Sequence, residues 1–370
     1  MSEKPRVLIL GGCGFIGRHL VDFLVKNELA SEIRVVDKTP PQMAWLNKTH
    51  TNAYENPLVE FCSANLINPV FCKKAFAAPS SGTWDIVVNC AAENRPNQSD
   101  AVYKEGIYKL SVNCANEAAQ IGAKRYIELS SGNIASSEKT ALAENCKTDP
   151  WTSLAKFKLK VEKELSSVPK LNYTVLRLPI VYGVGDTRWL TPRIIISALY
   201  KYLGETMKLL WNESMKLNTV HVGDVAAAVW ELAQNPKASG QIYNIVDDSD
   251  STQGSISDIL ADIFGINVDY WGVTISNITK VNMSDVIGEI NDKHMGPWAE
   301  LCQKDEVYNT PLTPYMDEEL LYHKHLNLDN SKLKSLNYEL RVPKITADQV
   351  KEIILDYADR KLFPQSLVMT

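Results

Sequence analysis

No stretch of this 370-residue chain approaches the roughly 18 uncharged apolar residues of a membrane-spanning helix, so none is expected. Positive charge is also in deficit. Lys and Arg number 39 against 44 Asp and Glu, a net charge of −5 with a pI near 5.8. That balance argues against a nucleic-acid or anionic-membrane surface. There is no Cys-x-x-Cys pair. The seven cysteines stand singly at positions 13, 62, 72, 90, 114, 146 and 302. The six histidines are equally dispersed, so neither a zinc cluster nor another metal site is expected. An odd cysteine count without a framework points to reduced thiols and a cytoplasmic chain. The first residues lead directly into a strand pattern and do not read as a signal peptide. No internal repeat or low-complexity tract is present.

What is there suits one large α/β domain with a smaller lobe. The chain is 45% hydrophobic and 22% charged, enough to bury a core of that size. Arg6 to Leu10, Ile33 to Asp37, Val59 to Ser63, Ile86 to Asn89, Tyr126 to Ser130 and Tyr173 to Arg177 are short apolar runs, as buried parallel strands should be. Helical stretches separate most of them, including Phe15 to Lys26, 100–121 and 151–166. Strands alternating with helices predict a doubly wound parallel sheet. Beyond about residue 185 the pattern loosens. A helix is expected over 193–210, a strand over Thr219 to Val222, a helix from Asp224 to Leu232 opened by an acidic cap, and a strand from Gln241 to Val246. Residues 247–254 read as a polar loop, and 268–327 as irregular. The expected division is a dinucleotide-binding domain over 1–185, with 219–248 returning to it. A substrate lobe covers 186–218 and 249–327, and a helical segment covers 328–370.

The chemistry begins at Gly11, Gly14 and Gly17, which follow the first strand and open a helix. Gly11 permits the tight turn, Gly14 lets a pyrophosphate approach the helix N-terminus, and Gly17 lets that helix pack on the sheet. Asp37 ends the second strand 20 residues after Gly17, where a carboxylate accepts from adenosine ribose hydroxyls and repels a 2′-phosphate. A Rossmann-type fold binding NAD is expected, with NADP less favoured although Lys38 follows. Cys13, Phe15 and Ile16 fall inside the same loop. A helix N-terminus lowers a thiol pKa, which would make Cys13 oxidisable; a small loop filler is the simpler reading.

Taken with these motifs, the chain resembles an extended short-chain dehydrogenase/reductase of the NAD-dependent epimerase/dehydratase type, in order and over nearly its whole length. Asn65 and Leu66 stand where the family has Asp-Leu beside the adenine. Asn89 to Ala92 resembles the strand end lining the cofactor, which places Ala91 and Ala92 there. Asn113 matches a helix asparagine. Ser131 takes the catalytic Ser/Thr place, and Pro179 and Ile180 lie in the segment that wraps the nicotinamide. Lys158 and Glu162 match the catalytic helix, where the family's Tyr-x-x-x-Lys is followed four residues later by Glu. The tyrosine position holds Leu154. The resemblance implies that a tyrosine exchanges the substrate proton, the lysine tunes it and holds the nicotinamide ribose, and the serine binds the reacting oxygen. A leucine moves no proton. Thr152, Ser153 and Lys156 are the nearby substitutes, and surface or helix-start roles fit them better.

A second departure lies on the substrate side. The arginine that grips the nucleotide diphosphate in sugar-nucleotide members falls at Leu217 here, four residues before His221, and a bidentate clamp is lost. His221 reads as a structural hydrogen-bonding residue. A nucleotide sugar is therefore a doubtful substrate, and an unidentified small molecule is expected. Arg95, Arg188 and Arg193 remain as anion contacts, although solvated positions suit them. Tyr270, Trp271, Trp298, Tyr308, Tyr315 and Tyr322 line either an apolar pocket or the lobe's own core. Function divides between an atypical oxidoreductase acting on a hydroxyl or carbonyl and an inactive NAD-bound pseudoenzyme serving as scaffold, sensor or regulatory subunit. The resemblance also implies a homodimer formed through 100–121 and 151–166.

Overall fold

The computed structural model describes residues 4–279 and 283–368. Strands β1 (Arg6–Leu10), β2 (Glu32–Asp37), β3 (Val59–Ser63), β4 (Ile86–Asn89), β5 (Arg125–Ser131), β6 (Tyr173–Leu178) and, farther on, β10 (Gln241–Asn244) form one parallel sheet. Its order is β10-β6-β5-β4-β1-β2-β3. Val7 sits between Ile33 and Ile86, and Asn89 is opposite Glu128. The strand order reverses between β1 and β4, the point where the carboxyl edge of such a sheet opens a crevice.

Helices cover both faces. On one, α1 (Phe15–Lys26) buries Leu20, Val21 and Leu24 against α8 (Val222–Gln234). On the other lie α3 (Pro69–Ala75), α5 (Leu110–Gln120) and α6 (Ser153–Leu165). There Cys114, Ala118, Val161 and Leu165 pack over Val87 and Tyr126. Burying each of the two larger aliphatic side chains, Val161 and Leu165, contributes about 1.5–3 kcal/mol. The smaller α2 (Lys48–Tyr54) follows β2, and α4 (Asp100–Tyr103) leads into α5 through a π-helical turn at Lys104–Lys109. That turn frees the Gly106 carbonyl to accept the Glu93 amide at 2.9 Å, which pins the loop after β4.

The lobe has its own core, built from α7 (Thr191–Leu203), α9 (Gln253–Phe264), α11 (Met283–Lys304) and α13 (Ala347–Asp359). The helix expected over 193–210 ends instead at Gly204, which adopts the left-handed conformation (φ 67°). The following β8 (Met207–Leu209) pairs with β11 (Val268–Tyr270). The helix expected from Asp224 begins earlier, and its cap is His221, whose Nδ1 accepts the Gly223 amide at 3.2 Å. Asp224 is buried and accepts the amides of Arg341 and Val342. The segment read as irregular holds α10 (Gly272–Thr279) and α11; its residues 280–282 lie outside the described ones. The short α12 (Ser331–Lys334) packs by β10, whereas β9 (Thr219–His221) leaves the main sheet to pair with β7 (Ile180–Tyr182). Among the described residues no helix is long and apolar enough to cross a membrane.

Candidate cofactor and active site

The carboxyl edge of the parallel sheet gathers the residues picked out from sequence. The glycine loop follows β1, Asp37 ends β2, Ala91 and Ala92 follow β4, Ser131 ends β5, and Pro179 and Ile180 follow β6. Gly11 has φ +72°, and a Cβ there would lie 2.6 Å from the Ala91 backbone. At Gly17 a Cβ would lie 2.6 Å from the backbone of Gly11 and Gly12, so the helix enters as close as backbones allow. The Asp37 carboxylate accepts the Cys13 amide at 3.1 Å and the Thr39 amide at 3.0 Å, fixing it beside the loop, and burial raises its pKa. Cys13 departs from the oxidisable reading. Its thiol is buried, and desolvation with Asp37 nearby pushes its pKa up to about 12.

After β3, Asn65 is exposed and Leu66 buried. Asn113 donates to the carbonyls of Leu66 and Ile67 at 3.2 and 3.0 Å, so in this structure its amide holds that loop in place. On α1, the His19 Nε2–H donates to the Val184 carbonyl at 2.7 Å, tying the glycine-loop helix to the segment after β7. Its ring lies 4.5 Å from that of His50. Burial pushes His19 down to about 4 and His50 down to about 2. The unfolded chain therefore takes up protons below about pH 6.5 that the folded chain refuses, and stability is lost as pH falls from 6.5 toward 4. Urea midpoints should drop across that window, with a smaller drop in His19→Gln; a flat profile would contradict this.

At the other end Leu154 occupies the first turn of α6, partly buried against the cluster containing Tyr103 and Phe157. Thr152 caps this helix by accepting the Ala155 amide at 3.1 Å, and Lys156 is exposed. Both take the helix-start and surface places expected of them. Ser131 Oγ accepts the Asn133 amide at 3.1 Å, which leaves its O–H available to donate. Lys158 is buried and donates to Glu128 at 3.0 Å. Glu128 is a fully enclosed carboxylate that sequence reading passed over. The signal was present: one acid inside an otherwise apolar strand needs a partner. Glu162 forms a bidentate pair with Arg177 and also accepts from Ser130 Oγ. Cys90, between Asn89 and Ala91, has its thiol pushed up to about 12 by burial.

A strap over 317–328, most of which sequence reading left irregular, ties to the loops after β4 and β5 and to the start of α6. Asn97 donates to Asp317, the Ser153 amide to Glu319, Trp211 Nε1 to the Leu321 carbonyl, and the His325 amide to Ser136 Oγ. Leu326 and Leu328 then bury beside Trp151 and Ile180. A Cβ on Gly132, next to Ser131, would meet both leucines within 3 Å. Burial raises the pKa of Asp317 and Glu319. The solvated positions expected for the arginines hold only for Arg95, which is exposed and paired with Glu93. Arg188 donates to Asn94 Oδ1 at 2.8 Å. Arg193 is half-buried, burial lowers its pKa, and its guanidinium has no hydrogen-bond or ion-pair partner among the described residues. Of the aromatic set, Trp298 is core, whereas Tyr308 and Tyr315 are exposed.

The residues present fit a dinucleotide. The glycine cradle leaves no room for side chains at two points, a fixed carboxylate stands beside it, and an enclosed ammonium stands on α6. The family model described as NAD dependent epimerase/dehydratase family matches residues 7–246. Among solved structures, UDP-N-acetylglucosamine 4-epimerase from Methanobrevibacter ruminantium M1 is 18% identical with a TM-score of 0.69, covering 97% of this chain and 100% of that one. UDP-glucose 4-epimerase from Thermus thermophilus, in complex with NAD, is 20% identical with a TM-score of 0.64, covering 93% and 98%. A dTDP-glucose 4,6-dehydratase double mutant from Streptomyces venezuelae, with NAD bound, is 18% identical with a TM-score of 0.68, covering 98% and 99%. A comparison with curated proteins by sequence gives no match. At these identities the structures speak for the fold, and the family model, spanning well over half of the sequence, settles the membership: the chain belongs to the NAD dependent epimerase/dehydratase family.

Proposed function

We propose that the chain binds NAD(H) along the carboxyl edge of its sheet and acts as an atypical oxidoreductase on the hydroxyl or carbonyl of a small molecule. The carrying observation is that the glycine loop follows β1, that Asp37 is bonded to that loop at the end of β2, and that Lys158 is joined through Glu128 to Asn89 at the end of the neighbouring β4. NAD supplies the hydride acceptor and, once reduced, the hydride donor. Loop amides and the α1 N-terminus bind the pyrophosphate, and Asp37 accepts from the adenosine ribose, which favours NAD over NADP. Lys158 donates to the nicotinamide ribose, and Ser131 donates to the reacting oxygen. Position 154 moves no proton.

Support on the substrate is divided. Leu217 and the strap acids Asp317 and Glu319 weigh against a nucleotide diphosphate, while Arg193, which has no ion pair among the described residues, favours an anionic group. The similar structures are enzymes of UDP- and dTDP-sugars by name. The second reading, an inactive NAD-bound protein, draws on Leu326 and Leu328 lying against Gly132 beside Ser131. A homodimer through α5 and α6, which pack side by side, goes with either reading.

Leu154→Tyr tests the chemistry. The NAD-loaded protein is mixed with UDP-glucose and dTDP-glucose, and nicotinamide absorbance is followed. A restored acid/base should raise the rate at least about hundredfold over wild type. No gain means that the substrate side has diverged as well, which favours the second reading. A wild type as fast as the variant would contradict the role given to position 154.

A further inference from the structure

Glu128 lies at the centre of β5, and its carboxylate accepts four hydrogen bonds. Oε1 accepts from Lys158 Nζ at 3.0 Å and Ser111 Oγ at 3.0 Å; Oε2 accepts from Asn89 Nδ2 at 2.7 Å and Tyr126 OH at 2.8 Å. Two of these donors lead to separate parts of the candidate site. Lys158 is the ammonium of the catalytic helix. Its side chain is 7% exposed, and Glu128 is its one hydrogen-bond partner among the described residues. An ammonium has three donors, so two remain for a ligand. Asn89 turns its Oδ1 to the Ala91 amide at 3.1 Å, which fixes the orientation of its side chain. Ala91 is the residue on which the turn at Gly11 rests. One buried carboxylate thus holds the lysine on one side and the floor of the glycine loop on the other.

We propose that Glu128 is a positioning residue of the cofactor site, orienting Lys158 toward the nicotinamide ribose. The proposal rests on the NAD-binding part of the preceding reading. Where a tyrosine stands at position 154, its phenol shares the lysine's surroundings. Here that phenol is absent, and the enclosed carboxylate fixes the ammonium. Charge alone would not require Glu128, because an exposed lysine needs no partner. An enclosed one does, and its direction is set by that partner.

Glu128→Gln is the informative substitution. Its amide nitrogen must replace one of the two oxygens. Ser111 and Tyr126 hydroxyls can turn to accept from it, but Lys158 and the oriented Asn89 amide only donate. Either orientation of the glutamine therefore leaves the enclosed ammonium without its counter-charge, and one of them breaks its hydrogen bond outright. The measurement is calorimetric titration of the purified full chain with NAD and, separately, with ADP, which lacks the nicotinamide ribose. Glu128→Gln should weaken NAD at least about tenfold while ADP stays within about threefold. If that variant does not fold, the double variant Ser111→Ala/Tyr126→Phe trims one neutral donor from each oxygen. It should weaken NAD about three- to fivefold with ADP unchanged. NAD affinity within about twofold of wild type overturns the proposal, as do equal losses for NAD and ADP, which would mark a purely structural role. A wild type that binds no NAD removes the cofactor reading itself, a different outcome from either.

Discussion

Glu162→Ala should cost about 3–5 kcal/mol of folding stability, read from the urea midpoint at constant slope. Arg177 donates to Glu162 from Nε at 3.1 and 3.2 Å and from Nη2 at 2.6 Å, and Ser130 Oγ donates at 2.5 Å. The side chains are 4% and 2% exposed. Removing the carboxylate leaves the guanidinium buried with one remaining bond, to the Glu144 carbonyl. The charge, not the lost contact area, sets the size of the effect. A paired replacement, Glu162→Leu with Arg177→Met, removes both charges and should recover most of the loss. A single variant within about 1 kcal/mol of wild type would show that water reaches this pair. Because Ser130 precedes Ser131, the single variant also loosens the end of β5 at the site.

The second large effect concerns the cofactor. Gly11→Val should weaken NAD at least about hundredfold, equivalent to about 2.7 kcal/mol. Two costs combine there. The φ of +72° is strained for a branched side chain, and its Cβ would lie 2.6 Å from the Cα and N of Ala91, which are backbone atoms and have no rotamer to change. Gly122→Ala separates the two. Its φ is +69°, but a Cβ there meets nothing within 4 Å. That variant should lose a little stability and no NAD affinity. Equal NAD loss in both would place the effect in backbone strain rather than in the cradle.

Much of this was legible in sequence, for definite reasons. The six strands expected before residue 180 appear with boundaries shifted by a residue at most, because each is a short apolar run closed by a polar or glycine turn. Leu154 and Lys158 lie on α6, the helix read over 151–166. Other features depend on distant partners. Glu128 was visible as one acid in an apolar strand, but its four donors come from β4, α5, α6 and β5 itself. The strap was invisible because backbone groups make much of its attachment, among them the Leu326 amide to the Lys216 carbonyl and the Asn218 amide to the Leu326 carbonyl. Arg193 looked like a surface cation because helix periodicity does not reveal what packs over α7. Asp224 looked like a helix cap, yet its partners are amides more than a hundred residues away.

The proposed binding of NAD makes one direct demand. Calorimetric titration of NAD into the unmodified protein should show one NAD bound per chain, with NADP weaker because Asp37 repels the 2′-phosphate. No heat and no protection of the fold by NAD, or a clear preference for NADP, would contradict it.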